Sequence, residues 1–172
     1  MPERACQFSP CRKYRYTLWR EWDSDLLTGC GDDLPHAGEF VQFVGLNPST
    51  ADETDDDATV RRVVGFAKSW GYGALCMTNL FGFRTAYPML MKKQADPVGE
   101  VNDHWLATTA EEAGLVVACW GTNGSWLGRD MAVAAMLIGN GIRMKCLGRS
   151  ALGHPLHPLR LAKTTTLENY RP

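Results

Sequence analysis

The sequence predicts an α/β protein: a three-layer α/β/α sandwich on a four-stranded parallel sheet, with an N-terminal accessory β segment. Three observations carry this. Four short apolar runs punctuate the chain, helical periodicity fills the intervals between them, and two of the runs are apolar almost without interruption. A strand covered on both faces needs no polar alternation, the mark of a central strand in a parallel sheet. Strands alternating with helices close through crossovers that lay helices on the sheet.

The elements follow in order. Tyr14-Arg15-Tyr16-Thr17-Leu18-Trp19-Arg20 reads as the accessory strand. The first core strand is Phe40–Val44, ending at Gly45. Val60, Val63, Val64 and Ala67 then recur at helical spacing behind an Asp57 cap. The second strand is Ala74–Thr78, and a helix over Val98–Ala113 follows the Pro97 start signal. Leu115–Cys119 is the third strand, Trp126–Ile138 the third helix, closed by Gly139 and Gly141. The fourth run, Ile142–Cys146, alternates through Arg143 and Lys145, which predicts an edge strand. With 172 residues, no repeats and no low-complexity linker, residues 1–172 form one domain.

Composition narrows the class. Hydrophobic residues make up 45% and charged residues 22%, which removes collagen-like, coiled-coil and disordered readings. No apolar run approaches the ~20 residues of a membrane span. Met1–Cys6 offers no secretory signal, so a cytoplasmic, reduced protein is expected. The 18 Lys and Arg against 19 Asp and Glu give a net charge of −1, which speaks against non-specific coating of nucleic acid. That average hides an asymmetry. Residues 23–57 carry ten acids and no Lys or Arg, residues 1–22 five basic and two acidic side chains, and residues 141–172 six basic against Glu168 alone. A basic strip beside one pocket suffices for local, salt-sensitive DNA contact.

No cofactor or metal is expected. Cys76, Cys119 and Cys146 lie in apolar runs, where a thiol behaves as a small hydrophobe. Cys6, Cys11 and Cys30 with His36 do not have the spacing of a known zinc framework. No glycine-rich dinucleotide or Walker-type phosphate loop follows a strand, and Ser49 lacks the context of a nucleophile elbow. The acidic run Asp52–Asp57 is a solvated loop and helix cap, or a shield or Mg²⁺ site at a pocket mouth.

In an open parallel sheet the ligand lies beyond the carboxyl ends of the strands. Those ends are polar here: Asn47, Ser49 and Thr50 after the first strand; Asn79, Phe81 and Arg84 after the second; Trp120 and Asn123 after the third. Arg149, Ser150, His154, His157 and Arg160 follow the fourth. The set offers amides and imidazole without a Cys–His pair. An Asn amide pairs with a nucleobase edge or fixes a water, and a His can donate to an oxygen gaining negative charge.

Gly45-Leu46-Asn47-Pro48, Met77-Thr78-Asn79-Leu80, Val116–Gly121 and Gly153-His154-Pro155-Leu156-His157-Pro158-Leu159 occur in order at strand ends. Together they resemble the four motifs of the uracil-DNA glycosylase superfamily, closest to its mismatch-specific and thymine-type members. The whole chain is also similar to a bacterial and phage family without a settled function. That family shares Gly45-Leu46-Asn47-Pro48-Ser49-Thr50-Ala51-Asp52, Trp70-Gly71-Tyr72-Gly73 and His157-Pro158-Leu159.

The first resemblance implies a uracil-DNA glycosylase-like sheet in the order 2-1-3-4 and a base-excision enzyme on a flipped pyrimidine in DNA. On it, Asn47 positions a water or holds the base, Asn79 pairs with the base edge, and His157 stabilises the departing base anion. The last motif carries one extra residue, so His154 competes for that place, with His157 favoured for its position directly before Pro158-Leu159. Phe81 or Trp120 stacks on the ring, and Ser49, Thr50, Ser150 and Arg149 grip phosphates with Arg160 nearby. Arg84 joins them or forms a surface ion pair, while Asn123 reads as a turn residue. Two other classes stay open: an enzyme on free nucleotides or modified phage DNA bases, and a non-catalytic nucleotide or nucleic-acid binding module.

Overall fold

The computed structural model describes residues 4–23 and 39–172. Cys30 and His36 of the zinc reading lie outside them. The chain begins with strands β1 (Arg4–Phe8) and β2 (Arg15–Glu21), then β3 (Phe40–Gly45), helix α1 (Ala58–Ser69) and β4 (Ala74–Asn79). Helices α2 (Pro88–Met91) and α3 (Asn102–Glu112) precede β5 (Leu115–Ala118), and α4 (Arg129–Gly139) precedes β6 (Met144–Cys146) and β7 (Glu168–Asn169).

All seven strands form one sheet in the order β1-β2-β4-β3-β5-β6-β7. The pairs β4–β3, β3–β5 and β5–β6 are parallel. The pairs β1–β2, β2–β4 and β6–β7 are antiparallel. The chain is therefore α/β, but the expected four-stranded parallel sheet in the order 2-1-3-4, glycosylase-like in outline, is corrected to a seven-stranded mixed sheet. The reason is at the rims. A parallel sheet left with two bare edges exposes unpaired backbone groups, and here an N-terminal hairpin covers one edge and a two-residue strand the other. The predicted edge strand is likewise overturned. β6 is flanked by β7, and Lys145 Nζ donates to Asn169 Oδ1 at 2.7 Å across that pair.

Alternation along the strands divides the core. Val41, Phe43, Leu75, Met77, Val117 and Cys119 pack with Val60, Val63 and Phe66 of α1. Val44, Val116 and Ala118 pack on the other side with Leu106 of α3 and Val133 and Leu137 of α4. Successive strand side chains face opposite sides, so one strand feeds both layers. Gln42 is fully buried, and its Nε2 donates to Thr78 Oγ1 at 3.0 Å and to Leu106 O at 3.1 Å, while its Oε1 has no partner among the described residues. The helix expected over Trp126–Ile138 begins only at Arg129, because Leu127 (φ 58°) and Gly128 (φ 62°) adopt left-handed backbone that ends the preceding 3₁₀ segment.

Candidate functional site

A cavity of about 470 Å³ opens at the carboxyl ends of β3, β4 and β5. Its size lies within the range of small-molecule sites. Backbone bonds fix the rim: Leu80 N donates to Gly45 O and Phe81 N to Leu46 O, both at 2.9 Å, and Gly121 N to Pro155 O at 3.0 Å. Behind β4, fully buried Asn102 donates its amide to Asn79 O at 3.0 Å and Leu80 O at 3.2 Å. The strand end that presents Asn79 is therefore held rigidly.

Of the residues expected from sequence, Asn47, Ser49, Asn79, Trp120, His154 and His157 line the cavity. Asn79 is 1% exposed, and its buried Nδ2 has no hydrogen-bond partner among the described residues. It faces Gly45 across the β3–β4 pair, where glycine is required by close approach. A Cβ on Gly45 would stand 2.8 Å from Asn79 Oδ1. Asn47 Nδ2 donates to Thr85 O at 2.7 Å and to Pro48 O at 3.1 Å. With its donor group so engaged, Asn47 has its Oδ1 left to receive a hydrogen bond. Trp120 is wedged into the floor, its ring edge-on to Tyr170 at 5.3 Å and close to Gly124, where a Cβ would collide with it.

The two histidines are oriented differently. His157 Nδ1 accepts from Leu159 N at 3.3 Å, so in the neutral ring the proton sits on Nε2. The residue is exposed at the cavity mouth but partly desolvated by its neighbours, which pushes its pKa below the ordinary value, opposed by the Asp57 charge and aided by Arg160. His154 places Nδ1 3.7 Å from Oδ2 of Asp130, a carboxylate only 5% exposed at the start of α4. Its backbone N donates to Ser150 Oγ at 3.2 Å, closing the turn.

Apart from Asn123, the other expected residues lie outside the cavity lining. Phe81 is fully buried and packs on Trp126, with ring centroids 5.2 Å apart. Arg84 donates to Ser49 O at 3.1 Å and Thr50 O at 2.7 Å and pairs with Asp52, so it braces the loop after β3. Arg149 pairs with Glu168 and donates to Asn169 O at 2.8 Å and Arg171 O at 3.2 Å, which ties it to β7. Thr50 is exposed and serves Arg84 through its carbonyl, Ser150 is the turn acceptor, and exposed Arg160 ends the 3₁₀ turn Pro158–Arg160. Asn123 sits on the rim, where Lys92 Nζ donates to its Oδ1 at 3.0 Å.

Two charged cavity residues went unassigned as site residues from sequence. Asp57 caps α1, accepting from Val60 N at 2.8 Å through Oδ1, and also faces the cavity. Its cap position was legible; its second role depends on where α1 begins relative to the sheet. Arg15 lies in the wall with 2% of its surface exposed. The only signal for it was a cation inside an apolar, aromatic-rich strand.

Ion pairs join the basic N-terminal hairpin and Arg84 to the acidic run. Arg4 and Arg20 pair with Asp56, Arg12 with Glu53 and Arg84 with Asp52. Asp52 Oδ1 also accepts from Thr54 N, Thr54 Oγ1 and Asp55 N, and these bonds hold its carboxyl well below the usual range. The acidic run is thus an arginine-braced loop. No cluster of three potential metal ligands occurs among the described residues, and no helix among them is long and apolar enough to cross a membrane.

No curated protein and no solved structure matches the chain. The comparisons lend no support to a uracil-DNA glycosylase relationship. Residues 15–159, from the buried arginine through the second cavity histidine, match one family model, and the chain belongs to the family described as "Protein of unknown function (DUF1643)".

Proposed function

We propose that the cavity receives a pyrimidine base and that the protein hydrolyses the N-glycosidic bond of that nucleotide, presented flipped out of DNA. The supporting observation is Asn79. A buried amide donor without a partner costs about 1–3 kcal/mol. A carbonyl on a base edge relieves that cost, and the strand end holding Asn79 is already rigid. Asn47 Oδ1 holds a water, and Asp57, in the same cavity, accepts its proton as the new O–C1′ bond forms. The C1′–N bond breaks with its electron pair staying on the base, and neutral His157 donates from Nε2 to the departing anion. Asp57 supplies the carboxylate that Asn47 lacks as a water activator. Trp120 gives the base an apolar floor.

A second reading, hydrolysis of free nucleotides, is favoured by the ion pairs. Arg4, Arg12, Arg20, Arg84 and Arg149 are all engaged within the chain, so fewer cations remain for a DNA backbone. Duplex and single-stranded oligonucleotides carrying uracil, mismatched thymine or modified pyrimidines, run beside the free nucleotides, test both. Abasic product lost on Asn79→Ala is the expected result. Tight binding with no base release from any substrate would falsify the hydrolase reading and leave a binding module.

A further inference from the structure

Arg15 is a buried cation in the cavity wall that pairs with no carboxylate among the described residues. Its Nη1 donates to Ala51 O at 2.5 Å, its Nε has no partner, and none of the ion pairs among the described residues includes it. Its neighbours in the N-terminal hairpin differ: Arg4, Arg12 and Arg20 each have an acidic partner. Burial lowers the Arg15 pKa only to about 10, so the guanidinium stays charged at neutral pH. A desolvated cation compensated by one carbonyl costs several kcal/mol. The planar fork of arginine suits two oxygens of a phosphate or carboxylate.

The position of Arg15 relates it to Asn79. β2 runs antiparallel to β4, and Arg15 N donates to Gly82 O at 3.0 Å, just past the end of β4. The buried guanidinium and the unpartnered Asn79 amide therefore arise at the same end of neighbouring strands and line one cavity. Asp57 faces the same space; its charge favours the charged form of Arg15 without contacting it. We propose that Arg15 anchors the phosphate of the pyrimidine nucleotide whose base Asn79 receives. This rests on the base-binding reading of Asn79. The phosphate is that of a free nucleotide or of a strand, and its chemistry at Arg15 is the same.

Calorimetric titration of the 172-residue chain tests it, with deoxyuridine, deoxyuridine monophosphate, a uracil-containing single strand and inorganic phosphate as probes. The monophosphate is expected to bind about tenfold or more tightly than the nucleoside. Arg15→Gln closes that gap and Arg15→Lys keeps part of it. Equal affinity for nucleoside and monophosphate in the unmodified protein overturns the anchor while leaving the base reading intact. That comparison needs no variant, so a misfolded Arg15→Gln protein does not block the test; a gap that survives in a folded Arg15→Gln protein overturns it as well. Phosphate binding without affinity for nucleoside or nucleotide overturns both readings. Arg15-dependent binding of the strand places the phosphate in DNA; such binding of the monophosphate alone places it on a free nucleotide.

Discussion

Gly45 and Asn79 are register partners on parallel strands, and a Cβ on Gly45 would stand 2.8 Å from Asn79 Oδ1 and 2.7 Å from Met77 Cε. Both atoms belong to side-chain ends, so the fold can yield where the site cannot. Gly45→Ala should cost about 1 kcal/mol of stability, the low end for overpacking. The displaced Asn79 amide should weaken nucleotide binding by about tenfold or more, because a misplaced buried donor loses its acceptor. Chemical denaturation and calorimetry on the same protein separate the two effects; equal ligand affinity in the variant removes Asn79 from the site.

The acidic run makes a sharper stability prediction than its exposed position suggests. Arg20 Nε donates to Asp56 Oδ1 at 2.7 Å, with the arginine side chain 4% exposed. Asp56→Ala leaves that guanidinium with only carbonyl partners, and the loss should be about 3 kcal/mol, as for other buried pairs cut on one side. Glu53→Ala breaks an exposed pair with Arg12 and should cost under about 1 kcal/mol. Urea midpoints that order the two variants the other way would show that Asp56 does not brace the loop.

How much of this was legible follows from range of contact. β3, β4 and β5 announced themselves because burial on both faces leaves nearly unbroken apolar runs. β1, with an exposed or half-buried pattern throughout, and two-residue β7 leave no periodicity to read, which is why the mixed sheet was missed. Asn47, Asn79 and His157 could be placed at the cavity from sequence because strand ends can be located without knowing the packing. What holds Arg84 and Arg149 was not legible, because the carbonyls that bind them, 33 to 35 and 20 to 22 residues away along the chain, are set by tertiary structure. Arg15 escaped for the same reason.

Arg149 should therefore behave as a structural residue. Arg149→Ala removes bonds to Glu168, Asn169 O and Arg171 O and frees β7 from the sheet edge. Amide exchange at residues 168–170 should accelerate while nucleotide affinity stays unchanged. Lost affinity with undisturbed exchange would restore a ligand-gripping role.

The His157 ring links pH to stability. Its pKa in the fold lies below the ordinary 6.5, chiefly through partial desolvation at the cavity mouth. Below 6.5 the unfolded chain binds the proton first, so stability falls as pH drops toward the folded value and is flat above. His157→Gln should flatten this slope in urea unfolding followed from mildly acidic to neutral pH. An unchanged slope in the variant would assign the dependence to another group.

The two cavity histidines should separate in kinetics because their ring nitrogens are committed differently. His157 accepts the Leu159 amide on Nδ1, which leaves Nε2–H as the donor that a departing base anion needs. On the substrate that yields abasic product, His157→Gln should lower kcat by about 10²–10³ with little change in KM, the usual loss of one such donor. His154 is turned toward Asp130 at 3.7 Å and held by Ser150, so His154→Gln should act through the loop and raise KM more than it lowers kcat. The reverse pattern would make the Asp130–His154 pair the catalytic one, with its buried carboxylate holding the imidazole in place.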